Sequence, residues 1–384
     1  MPRVAIRRRV LFAAAALALA AGASGGAVAS AATAAPAAPA APAISTGFTT
    51  FGALDGVSAT SASNAWAVGA TTKGTKYTGP LTVHWNGRGW TKVPSPGPAS
   101  ATLNAVDTVS ATDAWAVGDT TLGTGSKPFI IRWNGRAWTQ TAAPSLPGAF
   151  LSSVSATSPG NAWAVGSYPK GALILHWNGK AWRQYAAPKV GNAELGGVSA
   201  LSGSVAWAVG ALVSRAGPAR DLILRWNGKA WSVASGAKAE ADSELAGVAA
   251  TSAGNAWTVG CPCAGGPQGI VTSRWNGKSW ANVAVPVKSP FGAGGEIAAV
   301  GGLAWAAGSY CKADCSGDSA IIAPLLMRWT GKKWLVTANS LPLTASVEGL
   351  AVTSASNAWA VGNTETTPTT VKTFILHWNG KAWS

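Results

Sequence analysis

The sequence predicts an all-β protein, a seven-bladed β-propeller made of four-stranded antiparallel blades. Three observations lead to this prediction. All 21 tryptophans fall into one unit that occurs seven times along the chain. The unit begins with Ala-Trp-(Ala/Thr)-(Val/Ala)-Gly and, after a variable stretch, ends with Trp-(Asn/Thr)-Gly-x-x-Trp. The spacing between units averages about 49 residues, which is typical of one propeller blade.

Four short runs in the first unit predict the four strands of a blade. They span residues 54–60, 65–69, 81–85 and 88–93, with turn residues between them. A glycine ends the second run in every unit, and we expect it to release the chain into a variable loop. Repeating this division along the chain places the blades near residues 54–93, 103–141, 151–185, 195–234, 245–284, 296–337 and 347–384.

The turn between the third and fourth strands is Asn-Gly in six units and Thr330-Gly331 in the sixth. Asn-Gly between apolar runs predicts a hairpin with a two-residue type I′ turn. In the first unit such a turn pairs Trp85 with Arg88 and Val83 with Trp90. Both tryptophans of the hairpin then lie on the same face of the blade.

The tryptophans are predicted to be structural, because each ring can bury roughly 150–250 Å² between neighbouring blades. A lectin-like platform of exposed rings that stack on sugars is the alternative. The set comprises Trp66, Trp85, Trp90, Trp115, Trp133, Trp138, Trp163, Trp177, Trp182, Trp207, Trp226, Trp231, Trp257, Trp275, Trp280, Trp305, Trp329, Trp334, Trp359, Trp378 and Trp383.

Closure of the ring is expected because a single blade cannot bury both of its faces, and radial stacking also protects the sheet edges. The last unit has almost no residues after Trp383, so residues 48–51 are a candidate for completing blade seven. The sixth unit reaches Trp305 through Gly301-Gly302, which predicts a tighter first hairpin in that blade.

These motifs resemble those of the kelch and Asp-box (BNR) groups of β-propellers, over residues 54–383. As in kelch repeats, glycine follows the second strand and tryptophan lies on the fourth, but Val68-Gly69 stands where kelch has a glycine pair. The Gly87 to Trp90 segment is similar to the Gly-x-x-Trp end of an Asp-box, without its Ser and Asp. The resemblance implies a propeller and carries no active site to this chain.

The N-terminal segment predicts export. Residues 1–31 combine four arginines, an apolar core and Ala-x-Ala cleavage sites, as in a signal peptide. Arg8-Arg9 leaves both the Sec and the twin-arginine routes open. Residues 32–47 form an Ala/Pro-rich linker, and residues 48–384 form the propeller. No later run of about 18 apolar residues predicts a membrane span. We therefore expect a secreted, extracellular, monomeric protein.

Four cysteines in an exported chain predict two disulfides. Cys261 and Cys263 lie in the variable stretch of unit five, and Cys311 and Cys315 in that of unit six. The local pairs Cys311–Cys315 and Cys261–Cys263 are slightly favoured over bridges between the two loops. A metal site is the less favoured alternative, and we expect neither a metal nor a cofactor.

Two repeat positions supply much of the positive charge in a chain of net charge +15. The residue after each Asn-Gly or Thr-Gly pair is basic in all seven units, namely Arg88, Arg136, Lys180, Lys229, Lys278, Lys332 and Lys381. These predict a basic rim that holds anionic cell-wall polymers, with nucleic acid disfavoured as a partner, or that serves only solubility. The residue before the third-strand tryptophan is His or Arg, so the three histidines are spread around the ring. They cannot converge on a metal or a nucleophile, and we expect these cations to stack on neighbouring aromatic rings.

Five acidic residues are candidates for ligand binding at the mouth of the central channel. Glu194, Glu244 and Glu296 stand just before the first apolar residue of the inner strand in three consecutive blades. Glu348 and Asp55 stand one residue past it in blades seven and one. The alternative is that all five are solvated charges at the edges of loops.

These features favour a non-catalytic, secreted propeller that binds a protein or a polysaccharide through variable loops on one face. The sequence contains no Gly-x-Ser-x-Gly, phosphate loop or cofactor motif, and we predict no catalytic residue. The acidic residues keep a glycoside hydrolase or lyase as one alternative. The tryptophans keep a sugar-binding lectin as another.

Overall fold

The computed structural model describes residues 48–120, 125–213, 219–234, 243–262, 269–287, 289, 292–313, 321–367 and 369–384. The predicted signal peptide and linker lie outside the described residues.

Within these residues the chain forms 27 strands and no helix. Blades one to four contain β1 (Gly52–Ser61), β2 (Asn64–Lys73), β3 (Lys76–Trp85), β4 (Trp90–Val93), β5 (Ala101–Ser110), β6 (Asp113–Thr120), β7 (Lys127–Trp133), β8 (Trp138–Gln140), β9 (Phe150–Ser158), β10 (Asn161–Tyr168), β11 (Gly171–Trp177), β12 (Trp182–Tyr185), β13 (Ala193–Ser202), β14 (Val205–Leu212), β15 (Arg220–Trp226) and β16 (Trp231–Val233). Blades five to seven contain β17 (Ser243–Ser252), β18 (Asn255–Pro262), β19 (Val271–Trp275), β20 (Trp280–Asn282), β21 (Gly292–Val300), β22 (Leu303–Ala313), β23 (Ile321–Trp329), β24 (Trp334–Val336), β25 (Ala345–Ser354), β26 (Asn357–Thr367) and β27 (Thr370–Trp378).

The strands form seven antiparallel sheets in chain order, six with four strands and one with three. Each sheet is one blade, and its first strand contacts the first strands of the two neighbouring blades. The fold is therefore the predicted seven-bladed propeller, with β1, β5, β9, β13, β17, β21 and β25 around its axis.

A bulge at one position of every inner strand explains the glycine of the second strand. In blade one the pairing jumps from Leu54 opposite Gly69 to Gly56 opposite Val68, which leaves Asp55 as the bulged residue. A Cβ added at Gly69 would lie 2.0 Å from the Ala53 carbonyl oxygen. This glycine was predicted to end the second strand, but it lies inside β2, and only glycine fits against the bulge.

The loop between the third and fourth strands is longer than predicted. Trp85 pairs with Trp90, so four residues form the loop instead of two. The Asn86 Oδ1 atom accepts the backbone N–H groups of Arg88 at 3.0 Å and Gly89 at 3.1 Å, and Gly87 has a φ of +90°. The asparagine side chain thus closes the loop itself. The predicted register is wrong, but both tryptophans do lie on one face.

Triads of tryptophans join the blades. Each second-strand tryptophan contacts the third-strand and fourth-strand tryptophans of the next blade, at ring-centroid separations of 4.7 to 5.2 Å. Nineteen of the 21 tryptophans are buried, and Trp85 and Trp133 are half-buried. The triads are Trp66–Trp133–Trp138, Trp115–Trp177–Trp182, Trp163–Trp226–Trp231, Trp207–Trp275–Trp280, Trp257–Trp329–Trp334, Trp305–Trp378–Trp383 and Trp359–Trp85–Trp90. The last of them joins blade seven to blade one and closes the ring.

Two segments complete the outer edge of blade seven. The backbone N–H of Thr373 on β27 donates to the Thr50 carbonyl oxygen at 3.0 Å, and Phe51 forms a bridge with Lys372. At the other end of β27, His377 and Ser384 exchange two backbone hydrogen bonds. Thr50 and Phe51 therefore lie along blade seven, where the sequence analysis expected residues 48–51.

Blade six keeps its four strands although its first turn is short. Val300 pairs with Leu303 across Gly301-Gly302, and Gly301 has a φ of +56°. The other inner hairpins contain an extra register shift before the turn, as at Ser61 opposite Asn64. This is the tighter hairpin that the sequence predicts.

Candidate functional site

The inner strands surround a channel of about 260 Å³. Glycine, alanine and serine form most of its wall, because the bulge brings the inner strands of neighbouring blades close together. At Gly56, for example, an added Cβ would lie 3.0 Å from the Ala105 Cα of the next blade. Asp55, Asn104, Asp107 and Glu296 are the polar exceptions with longer side chains along this wall.

The five acidic candidates occupy three different register positions. Glu194 and Glu244 pair with Ala211 and Cys261, ahead of the bulge in blades four and five. Asp55 and Glu348 are themselves the bulged residues of blades one and seven. Glu296 follows the bulge of blade six and pairs with Ala307. The prediction that Glu296 occupies the same repeat position as Glu194 and Glu244 is therefore wrong, because Gly295 is the bulged residue of blade six.

Glu296, Glu348 and Asp55 lie in blades six, seven and one, which are consecutive in the closed ring. Burial is the main cause that raises the pKa of Glu296, to about 8, and the charge of Glu348 adds to the effect. The Ser346 hydroxyl donates to Glu348 Oε1 at 2.6 Å. Near neutral pH the Glu296 carboxyl group is therefore mostly protonated.

Asp107 is a buried acid that the sequence analysis did not single out. Its carboxylate accepts the Ala156 backbone N–H of blade three at 2.6 Å and the Ser58 hydroxyl of blade one at 3.2 Å. Burial raises the pKa of Asp107, and these hydrogen bonds oppose the shift. Its place in the repeat was a usable signal, because Asp107 is eight residues before Trp115, as Ser58 is before Trp66.

We call the end of the ring with the hairpins between second and third strands the loop end, and the opposite end the turn end. In blades six, seven and one the second and third strands stay paired for more residues than in the other blades. We call these three two-stranded extensions the ribbons. The last pairs are Ala313 with Ile321, Thr367 with Thr370, and Lys73 with Lys76. They rise from the same three blades that carry Asp55, Glu296 and Glu348.

Exposed apolar side chains accompany the ribbons. Phe51 is 53% exposed, Leu343 is 49% exposed and Ile321 is 37% exposed. The Lys372 Nζ atom lies 5.6 Å from the centre of the Phe51 ring. This side of the loop end is therefore both apolar and projecting, a combination typical of contact surfaces.

The turn end is basic. All seven cations that follow the Asn-Gly or Thr-Gly pairs are exposed. Among the described acidic residues, Asp113 is the one beside these turns, and Arg132 Nε lies 2.7 Å from its Oδ1 atom. The predicted basic rim is thus an exposed ring of positive charge at one end of the molecule.

The structure describes two of the four cysteines. Cys261 is half-buried on β18 and Cys311 is buried on β22, whereas Cys263 and Cys315 lie outside the described residues. The disulfide pairing stays a prediction. Within the described part of the chain, no three His, Cys, Asp or Glu residues are grouped so as to hold a metal ion. None of the described residues belongs to a helix that could cross a bilayer.

Comparison with family models and with curated proteins finds no match to this chain. Solved structures do match. The β-propeller domain of the Trilobed protease from Pyrococcus furiosus has a TM-score of 0.56 at 10% identity, over 87% of this chain and 95% of that one. YCF48 bound to D1 peptide has a TM-score of 0.53 at 16% identity, over 85% and 92% of the two chains. A polysaccharide lyase, ulvan lyase, has a TM-score of 0.53 at 10% identity, over 87% and 96%. At these identities the matches show the propeller fold alone.

Proposed function

We propose that this protein is a secreted, non-catalytic propeller that binds a protein or polysaccharide partner through its loop end. The main support is the contrast between the turn end and the loop end of the propeller. The blades repeat the same triads and the same turns, whereas the hairpins of the loop end differ from blade to blade. In a protein whose repeats have the same strands but different loops, the loops carry specific recognition.

The ribbon of blade one provides the sharpest test of this proposal. Thr71 opposite Gly79 in blade one occupies the same register as Tyr168 opposite Gly171 in blade three. Replacing residues 72–78 by the Pro169-Lys170 turn therefore shortens β2 and β3 at the loop end and keeps every pair from Ala65–Trp85 to Thr71–Gly79. We expect this exchange to abolish binding to a partner found by screening glycans, wall polymers and extracellular proteins, with an unchanged melting temperature.

Ser232→Ala, at an exposed position of β16 outside the loop end and the basic rim, is the control and is expected to bind normally. If a ribbon exchange in each of blades one, six and seven left the affinity unchanged, the loop end would not be the binding surface.

The basic rim supports an additional attachment of the wheel to anionic wall polymers. Such attraction is independent of sequence and weakens with salt. Replacing the seven turn cations by Gln should release the protein from purified anionic wall material at lower salt than the wild type. Replacing the three exposed Ser or Thr residues of the outer strands, Thr91, Thr139 and Ser232, by Gln is the control. Equal retention of both variants would mean that the basic rim serves only solubility.

Glu296 and Glu348 favour a second candidate, cleavage of a polysaccharide. Two carboxyl groups that influence each other, one of them with a raised pKa as Glu296 has, are the kind of pair that such reactions use as acid and base. If the protein cleaves any of a panel of polysaccharides, Glu296→Gln should lower the rate by a factor of about 10² or more. Glu365→Gln, an exposed acid on β26, is the control. Equal rates in the two variants would exclude this candidate.

A further inference from the structure

Blade three has a cleft at the loop end that is separate from the acidic residues and the ribbons described above. It encloses about 610 Å³ between the β10–β11 hairpin and the segment that leads to blade four. Its walls include Tyr168, Lys170, Gln184, Tyr185 and Lys189. The volume is in the range of small-ligand sites, roughly 300–1,000 Å³.

The local sequence explains why the cleft is open. Only Pro169 and Lys170 separate β10 from β11, so this hairpin ends at the register where the ribbon of blade one continues. Blade six also has a tyrosine, Tyr310, at the position of Tyr168, but only blade three adds a second tyrosine at the position of Tyr185, where blade six has Thr337. The residue two after the second-strand glycine is Thr71 in blade one and Leu212 in blade four, in place of Tyr168.

The tyrosine rings are held firmly. Tyr185 contacts Trp163 edge to face at 5.2 Å and Trp226 at 5.7 Å, and Tyr168 packs against the core between blades two and three. Both remain half-buried and not covered, so part of each ring lines the cleft. Rigid aromatic walls bind a flat apolar face at little entropic cost.

The polar groups of the cleft favour a negative ligand. Lys170 and Lys189 are exposed at its border and Gln184 supplies an amide, while no acidic residue lines it. A sugar ring offers an apolar C–H face to tyrosine, hydroxyl groups to an amide, and, when oxidised, a carboxylate to lysine. A nucleic acid would instead need a basic groove with several stacking rings along it, and this cleft has two rings within one blade.

We propose that this tyrosine–lysine cleft binds a carboxylated sugar, such as one uronic acid residue of an acidic polysaccharide. The inference rests on the proposed binding function and names a ligand class for one place on the loop end. It is separate from the ribbons of blades six, seven and one, so the two are tested separately.

The test is calorimetric titration of the mature protein with an oligomer of galacturonic acid and with a galactose oligomer of equal length. We expect the acidic oligomer to bind at least about tenfold more tightly than the neutral one, because the charge-assisted hydrogen bonds from lysine require the carboxylate. Lys170→Gln with Lys189→Gln should remove that difference. Lys92→Gln with Lys333→Gln makes the same charge change at exposed positions outside both the cleft and the basic rim and should keep it.

Four results would overturn the proposal: no binding of the acidic oligomer, equal binding of the neutral one, unchanged affinity in the Lys170 and Lys189 variant, or tighter binding of an oligothymidylate. Tyr168→Ser, checked for an unchanged melting temperature, gives a second variant that does not alter charge and should weaken both sugars. If the cleft fails while the ribbon exchanges still abolish partner binding, only the sugar assignment is lost. If both fail, the proposed function is lost as well.

Discussion

A histidine or an arginine covers the second-strand tryptophan within the same blade. The His84, His176 and His377 rings lie 4.2 to 4.4 Å from the tryptophans they pair with, and the Arg132, Arg225 and Arg274 guanidinium carbons lie 4.8 to 5.2 Å from theirs. Each histidine Nε2 lies 2.7 to 2.8 Å from an asparagine Oδ1 at the start of the second strand. The sequence predicted stacking between blades, whereas the shorter contact is with the tryptophan of the same blade; the three arginines also lie 5.7 to 6.0 Å from a tryptophan ring of the next blade.

The three histidines make stability depend on pH. Burial lowers the pKa of each below its usual 6.5, so the folded protein prefers the neutral ring. This contribution to the free energy of unfolding is present above about pH 6.5 and is lost as the pH falls below it. We therefore expect the midpoint of urea unfolding to decrease between pH 7 and pH 5.

Replacing all three histidines by arginine should flatten that decrease. Blade five supplies the pattern for this variant, because Arg274 Nε donates to Asn255 Oδ1 at 2.9 Å in the same place. An equal decrease in the wild type and the variant would assign the acid sensitivity to other groups.

At the scale of strands, side-chain hydrogen bonds join the inner strands of blades one to five. The Ser155 hydroxyl oxygen accepts the Ala200 backbone N–H, and the Ser199 hydroxyl oxygen accepts the Ala250 backbone N–H, both at 3.0 Å. Ser58 and Asp107 make the equivalent contacts to blades two and three. In blades five, six and seven this position is alanine, at Ala249, Ala298 and Ala351.

Removing one of these inter-blade contacts should have a measurable cost. Ser199→Ala is expected to lower the free energy of unfolding by about 0.5–1.5 kcal/mol, the usual net value of a hydrogen bond. Urea unfolding at pH 7 measures it. Ser232→Ala, on the exposed side of β16, is the control and should change stability by less than about 0.5 kcal/mol. Equal effects of both substitutions would contradict the role given to Ser199.

The sequence was informative about strands because the tryptophan and glycine positions repeat with a fixed spacing. The bulge was missed although it leaves a trace in the sequence, because the buried leucine and valine of the inner strand are three residues apart, as Leu54 and Val57 are, and not two or four as in a regular strand. Glu296 was misplaced for that reason. The four-residue loop was missed because an asparagine that bonds the backbone after it mimics, in sequence, the asparagine of a two-residue turn. The Tyr168 and Tyr185 cleft depends on where a connecting segment lies, which no repeat position records.

At the scale of the molecule, closure depends on the triad of Trp359 with Trp85 and Trp90, which joins residues far apart in the chain. Trp359→Ala should lower the free energy of unfolding by about 3–5 kcal/mol, because it leaves a cavity in that seam. Trp207→Ala removes the equivalent ring between blades four and five and should cost a similar amount. Urea unfolding compares the two. A far smaller effect at Trp359 would mean that the ring is open between blades seven and one.

The tryptophan triads have one more consequence. Three indoles about 5 Å apart share their electronic excitations, and the triads repeat from blade to blade. We therefore expect an exciton couplet in the circular dichroism spectrum, and its contribution from pairs between blades is lost wherever two blades separate. Its amplitude during denaturation reports how many seams remain shut, without any dye or tag.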